Sequence, residues 1–224
     1  MLVVEKTTDQ ANECQTVFVE LRFEISGETL PADHGYGLYS AIAHLCPLVH
    51  EQEGVSISTI SGEPDHQGKI YLSKSAHLKI RLPYEADRIA RILPLAGQTL
   101  KIGSHSIKLS IPQIFPLQPF EMLRSRIVTI NKFQEPEPFL EAVKRQMDAL
   151  GIQGNAFVPL DEAGLPLRKA IKIKKFSVVG FSVVVTDLSD DDSLKLQSHG
   201  LGGKRRMGCG IFTSFPRAWR FQDV

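Results

Sequence analysis

Apolar residues occupy every second position near the start of the chain, with mostly polar residues between them: Val17, Val19, Leu21, Phe23 and Ile25. This period of two predicts a strand with one face toward a core. The spacing then lengthens to three or four residues at Leu38, Ile42, Leu45 and Val49. That spacing predicts an amphipathic helix from residue 35 to about 46.

The ends of this first helix can also be predicted. Asp33 is the expected N-cap, and Pro47 should end the helix and leave His50 in the following turn. Further strands are expected at 55–60, 69–72 and 76–82, a short helix at 84–93, and a hairpin at 99–111. The order strand, helix, strand, strand, helix, strand is that of a ferredoxin-like domain, which we assign to residues 1–115.

The second half repeats this order more loosely. The segment 112–119 contains three prolines and is expected to be a linker. A strand at 127–130, a helix after Pro136, strands within 168–187, a short helix at 193–198 and a closing strand at 211–215 follow. The expected fold is α+β, with two tandem ferredoxin-like domains, the second spanning 116–224. No internal sequence repeat supports it, so the second domain depends on element order.

Composition limits the function classes. The chain has 224 residues, 42% of them hydrophobic, and a net charge of +1. A real core is therefore expected, and nucleic acid could be bound only through local basic clusters. The three cysteines form no CxxC pair, so we expect no metal site and no cofactor. No run of about 18 apolar residues exists, so we expect no membrane association and a cytoplasmic location.

The segment from Gly200 to Gly210 contains two Gly-apolar-Gly triplets around a basic insert. Glycine permits positive φ and lets backbone N–H groups approach a phosphate, and adjacent cations add charge for a polyanion. We predict RNA contacts from Gly200, Gly202, Gly203, Lys204, Arg205, Arg206, Gly208 and Gly210. The alternative is a surface turn with incidental charge.

A second basic segment, 168–175, has five cations in eight residues. On a strand, Arg168, Lys172 and Lys174 would share one face. This row is either a phosphate track or a solvated strand face, and the two interpretations are equally supported. Arg124 and Arg126 share a face of another predicted strand and would extend the track.

Three of the seven histidines, His34, His44 and His50, lie around the first helix. RNA cleavage without a metal needs a base for the 2′-hydroxyl and an acid for the leaving 5′-oxygen, and imidazole serves both roles near neutral pH. A single histidine is more often a surface or core residue than a catalyst. Clustering around one helix favours catalysis, with His34 expected in an exposed loop.

The pattern Gly-h-Gly-x5-Gly-h-Gly with basic residues resembles the glycine-rich loop of the RAMP superfamily, where h is apolar. More narrowly, the chain resembles the CRISPR-associated endoribonucleases that cut repeat RNA to make guide RNAs. The segments 30–42, 47–50 and 60–62 are similar to the first-helix region of their short cyanobacterial and myxobacterial branch. The resemblance covers about residues 16–215 and implies two ferredoxin-like domains.

The resemblance further implies metal-independent cleavage that leaves a 2′,3′-cyclic phosphate and a 5′-hydroxyl. Carried over to this sequence, the catalytic candidates are His34, His50 and Tyr36. The implied partners are CRISPR repeat RNA, its guide-RNA product and an effector complex, but not DNA. One alternative is a non-catalytic RAMP subunit that binds guide RNA. Another is a twin ferredoxin-like protein unrelated to nucleic acid.

Overall fold

A computed structural model of the protein describes residues 16–50 and 53–214. Its first half contains helices α1 (Gly35–Leu45) and α2 (Ala86–Ala90). The strands of this half are β1 (Phe18–Ser26), β2 (Thr29–Pro31), β3 (Ser56–Ile57), β4 (Glu63–Pro64), β5 (Lys69–Tyr71), β6 (His77–Pro83), β7 (Thr99–Ile102), β8 (His105–Leu109) and β9 (Gln113–Pro116). Short 3-10 helices occupy Pro47–His50 and Leu93–Leu95.

The main sheet of this half has the antiparallel order β3-β6-β1-β8-β7, while β2, β5 and β4 form a small separate sheet. Counting β1, β3, β6 and β8 as the four principal strands, the spatial order is second, third, first, fourth. Each strand-helix-strand unit therefore leaves a gap that a strand of the other unit fills, which is the ferredoxin-like arrangement. Leu21, Phe23 and Ile42 are fully buried in the core between this sheet and α1.

The second half contains β10 (Leu123–Val128), α3 (Pro136–Ala149), β11 (Asn155–Phe157), β12 (Arg168–Ile173), β13 (Phe176–Thr186) and α4 (Asp190–His199). Strand β13 pairs with β10 on one side and with β11 and β12 on the other. The predicted closing strand is reduced to a bridge between Thr213 and Arg124, and Phe215 lies outside the described residues. This bridge places the closing segment beside β10, so the second half also has the ferredoxin-like order.

Two predictions about local structure were wrong. The expected linker at 112–119 contains β9, which pairs with Val19 to Arg22 of β1, and the predicted domain boundary at 115/116 falls inside it. Asp33 does not cap α1: the N-cap is His34, without a side-chain cap bond. The Asp33 carboxylate instead accepts a hydrogen bond from the backbone N–H of Lys172 at 2.6 Å, because β12 passes beside the helix start.

Arg81 joins the two halves from a buried position on β6. Its Nη1 donates to the carbonyl oxygens of Gln197 on α4 (2.6 Å) and Phe212 (3.0 Å), and its Nη2 donates to Glu20 (3.3 Å). Arg81 and Glu20 are 3% and 4% exposed. A charge so deeply buried needs both a counter-ion and hydrogen-bond acceptors, so β1 and the second half position the same guanidinium.

None of the helices among the described residues is long and apolar enough to span a membrane.

We expect Glu20→Gln to lower the free energy of unfolding by about 3 kcal/mol, because it leaves the buried Arg81 charge without its carboxylate. Urea unfolding followed by circular dichroism would measure this. Glu141→Gln is the matched control, since its ion pair with Arg145 on α3 is mostly exposed and should contribute about 0.5 kcal/mol or less. Equal losses of unfolding free energy in the two variants would contradict a buried Arg81 charge that depends on Glu20.

Candidate functional site

The glycines between residues 200 and 210 are required by contacts within the protein. Gly200, Gly202, Gly208 and Gly210 all have φ between 62° and 82°. A Cβ at Gly200 would overlap the carbonyl oxygen of Gly210, and one at Gly210 would overlap that of Leu201. The two ends of the loop thus touch through their backbones, which only glycine permits.

The backbone N–H groups of five glycines in this loop donate to acceptors within the protein. Their acceptors are Leu196 O for Gly200 (2.9 Å), Gln146 Oε1 for Gly202 (2.7 Å), Thr129 O for Gly203 (2.9 Å), Arg205 O for Gly208 (3.3 Å) and Ile127 O for Gly210 (2.8 Å). RNA contacts from these glycines stay a prediction, and their N–H groups already have acceptors within the protein. The glycines shape the loop, and the side chains of its basic insert line a cleft.

The basic insert lies at the edge of a cleft between the two halves. Lys204 adopts a left-handed conformation, with φ 63°, and starts the 3-10 turn Arg205–Met207. The cleft has a volume of about 770 Å³, and residues from both halves line it, including Tyr39, Arg88, Lys204, Arg205 and Arg206. Burial and the neighbouring Arg206 charge lower the pKa of Arg205. The insert therefore places three cationic side chains at the cleft, although the net charge of the whole chain is only +1.

His50 is tied to two residues that line this cleft. Its exposed ring forms a hydrogen bond between Nδ1 and the Tyr39 hydroxyl, and the rings meet edge to face with centroids 5.2 Å apart. Its carbonyl oxygen accepts a hydrogen bond from Arg206 at 2.8 Å. With Nδ1 engaged, Nε2 is the ring nitrogen that can exchange a proton with a ligand.

Tyr39 is the aromatic residue that orients this histidine, whereas Tyr36 is half-buried against the N-terminal core. Tyr39 packs in the core, with 9% of its surface exposed, and its hydroxyl still reaches His50. The signal was available in principle: Pro47 turns the chain back after α1, which returns residue 50 toward the helix.

His34 is buried, not exposed as expected, with 2% of its surface accessible. Its Nδ1 bonds the carbonyl oxygen of Pro31 at 2.8 Å, and its Nε2 accepts from the N–H of Ile60 at 2.9 Å. This pattern fixes the neutral ring with the proton on Nδ1. Both ring nitrogens are thereby engaged by backbone, so the geometry does not offer His34 to a substrate.

The second basic segment is less continuous than predicted. Arg168 and Lys172 share one face of β12, but Lys174 lies beyond its end in the turn before β13, with φ 54°. Lys169, on the opposite face, approaches Arg126 and Arg124, and burial together with their charges lowers its pKa. The arginines therefore extend the row of Lys169, not that of Arg168 and Lys172. The alternation along the strand pointed to the face of Arg168 and Lys172, so Lys169 on the opposite face was not among the predicted site residues.

The acidic run Asp190 to Asp192 begins α4, three residues before the predicted helix start, with Ser189 as its N-cap accepting from the Asp192 N–H at 3.1 Å. Among the residues that the structure describes, no group of three or more His, Cys, Asp or Glu side chains is placed to hold a metal ion.

Residues 19–217 match the family model described as Cas6 Crispr. The chain belongs to the Cas6 family. It is 34% identical over 207 residues to a CRISPR-associated endonuclease Cas6 of Myxococcus xanthus, covering 92% of this chain and 86% of the relative. The resemblance of the glycine-rich loop and first helix to CRISPR-associated RAMP proteins is thus confirmed.

Solved Cas6 structures share the fold. The product of a Cas6-related gene from Pyrococcus furiosus superposes with a TM-score of 0.62 at 15% identity, covering 90% of this chain and 99% of that one. Another CRISPR-associated Cas6 protein gives 0.60 at 14% identity, covering 90% and 100%. These matches confirm the expected α+β fold of two tandem ferredoxin-like domains.

The burial of His34 predicts a pH dependence of stability. Burial lowers its pKa; the bond to Pro31 and the Asp33 charge oppose this shift, and Arg126 adds to it. The native ring stays neutral while the unfolded one binds a proton near pH 6.5. The stabilisation is complete above that pH and is lost as pH falls. Between pH 7 and 5, wild type should lose up to about 1.4 kcal/mol per pH unit more than His34→Gln.

Urea unfolding of both proteins at several pH values would measure this difference. Parallel curves would contradict a buried neutral ring at position 34.

Proposed function

We propose that this Cas6 protein is an endoribonuclease that cleaves CRISPR repeat RNA without a metal ion, producing guide RNAs with 2′,3′-cyclic phosphate and 5′-hydroxyl ends. The observation that carries the proposal is the double attachment of His50. Its ring is oriented by Tyr39 and its backbone by Arg206, and both partners line the cationic cleft. The endonuclease from Myxococcus xanthus, 34% identical over 92% of this chain, supports a nuclease activity.

The chemistry requires a base for the 2′-hydroxyl, an acid for the leaving 5′-oxygen and a stabiliser of the developing charge. His50 accepts the proton of the RNA 2′-hydroxyl through Nε2, while Tyr39 holds the ring by Nδ1. The 2′-oxygen attacks the adjacent phosphorus, and the bond from phosphorus to the 5′-oxygen breaks. The leaving 5′-oxygen takes a proton from solvent water to become the 5′-hydroxyl, and the protonated His50 returns its proton to the solvent. Lys204 and Arg205 stabilise the extra negative charge on the phosphorane oxygens. Because the nucleophile is the 2′-hydroxyl, the same repeat made of DNA cannot react.

RNA binding in this proposal depends on side chains on both sides of the cleft. Lys204 is exposed on the loop, and Arg88 faces the same cleft from α2. Arg168 and Lys172 on β12 and Lys174 in the turn add cations on an exposed hairpin. Phosphate contacts of this kind release counterions, so the affinity falls as salt rises. Arg124 and Arg126 form a separate cluster with Lys169.

We expect His50→Ala to slow cleavage of end-labelled repeat RNA by about 10²- to 10⁴-fold in the presence of EDTA, because it removes the proton acceptor, while RNA affinity is retained. The substrate is the repeat from the CRISPR array of the source genome. His44→Ala is the matched control, since His44 lies exposed in the last turn of α1. It should cleave like wild type. A single 2′-deoxy substitution at the cut site should block cleavage by wild type.

Three outcomes would contradict the proposal. Loss of cleavage in EDTA would show that the reaction needs a metal ion. Unchanged cleavage by His50→Ala would show that His50 is not the base. Binding without any cleavage by wild type would favour a non-catalytic RAMP subunit that holds guide RNA.

Two loop cations should have separable effects. We expect Lys204→Ala to weaken RNA binding. It should also make the negative slope of log affinity against log salt shallower by about 0.7, which corresponds to the loss of one phosphate contact to single-stranded RNA. Its cleavage rate at saturating RNA should fall less than that of Arg206→Ala, because Arg206 also holds the His50 carbonyl. Fluorescence anisotropy over a KCl series and single-turnover cleavage would measure both quantities.

Lys101→Ala, an exposed change on the edge strand β7, serves as the charge control. Identical rate losses in Lys204→Ala and Arg206→Ala would show that the bond to His50 has no catalytic role.

A further inference from the structure

Three consecutive residues at the start of α1, Asp33, His34 and Gly35, contact three different parts of the molecule; we name them the joint. The His34 ring connects Pro31, at the end of β2, to Ile60 in the segment after β3. Asp33 accepts from the Lys172 N–H on β12. All three residues belong to the first half, but two of them meet the second.

Gly35 brings the joint against the basic turn. A Cβ at Gly35 would overlap the carbonyl oxygen of Met207, so the turn Arg205–Met207 packs directly on the helix start. A Cβ at Gly208 would meet the Thr59 side chain, next to the Ile60 that His34 holds. The basic turn is therefore enclosed by two surfaces, and the His34 ring links those two surfaces to each other.

We propose that His34 is a positioning residue: it holds the helix start and the segment 58–60 at the spacing into which the turn Arg205–Met207 fits. The turn carries Arg206, which bonds the His50 carbonyl, so the spacing at His34 determines where the cations lie relative to the proposed base. This inference rests on the proposed function for its catalytic consequence only. The structural link from His34 to the turn is independent of it.

The hydrogen-bond chemistry explains why a neutral histidine serves here. The site needs a donor toward the Pro31 carbonyl and an acceptor for the Ile60 N–H, which a neutral imidazole supplies at fixed geometry. A protonated ring would point an N–H at the N–H of Ile60 and lose that bond. The charged groups that act on the ring are Asp33 and Arg126. A glutamine amide also offers one donor and one acceptor, but it does not transfer protons near neutral pH.

Glutamine therefore distinguishes positioning from proton transfer. At saturating repeat RNA, we expect His34→Ala to slow single-turnover cleavage by about 10- to 100-fold, the effect of a small misplacement of reacting groups. His34→Gln should recover most of the wild-type rate and keep the shape of its pH–rate profile. His50→Gln should remain as slow as His50→Ala, because there the amide replaces a proton acceptor. His44→Gln is the control on the same helix.

Hydrogen exchange without RNA tests the joint separately from catalysis. We expect faster exchange of the amides of residues 207–210 in His34→Ala than in wild type and His34→Gln, because those amides bond within and beneath the turn. Unchanged exchange in His34→Ala would overturn the positioning role, whatever the activity. If His34→Gln shows wild-type exchange but cleaves as slowly as His34→Ala, His34 transfers a proton and the inference is wrong.

Should wild type cleave no RNA, the proposed function fails while the exchange result still decides whether His34 positions the turn.

Discussion

The close approach of backbones at the glycines, both between the two halves and within the second, is the constraint on which the site depends. The helix start at Gly35 touches the Met207 carbonyl, and Gly200 touches the Gly210 carbonyl, with no room for a side chain at either glycine. These contacts hold the two ends of the loop against each other and the turn against the start of α1. Lys204, Arg205 and Arg206 are therefore presented from a rigid backbone, although their own side chains are long and exposed or half-buried.

This arrangement separates two roles that the sequence combined. Glycine-rich phosphate loops bind anions through their N–H groups, and the same composition suggested that chemistry here. In this fold the N–H groups of the glycines donate to neighbouring carbonyl oxygens and to the Gln146 amide oxygen, since buried backbone donors need acceptors. The glycines provide shape and the cations provide charge. The backbone of the loop can thus be fixed in one conformation while its long basic side chains change rotamer.

Local patterns predicted the elements well and the site only in part. The alternation along β1, the helical spacing from Leu38 to Leu45 and the stop at Pro47 depend on near neighbours, and each predicted the correct element. The alternation did not predict the faces of the strand, because Phe18 and Glu20 are buried as well, while Val17 lies outside β1 and is 63% exposed. The burial of His34, the bond of Tyr39 to His50 and the turn conformation of Lys174 depend on how distant segments meet. From the sequence alone, His34 and His50 are equal candidates for catalysis. In the folded chain His34 is buried and His50 is exposed.

The bond from Arg206 to position 50 ends on a main-chain carbonyl, not on the imidazole. Every amino acid carries that oxygen, so the attachment of the basic turn does not require histidine at this position. In evolutionary terms, the proposed proton-transfer group and the attachment of the basic turn can change independently. A substitution at position 50 would remove the imidazole and leave the acceptor for Arg206 in place.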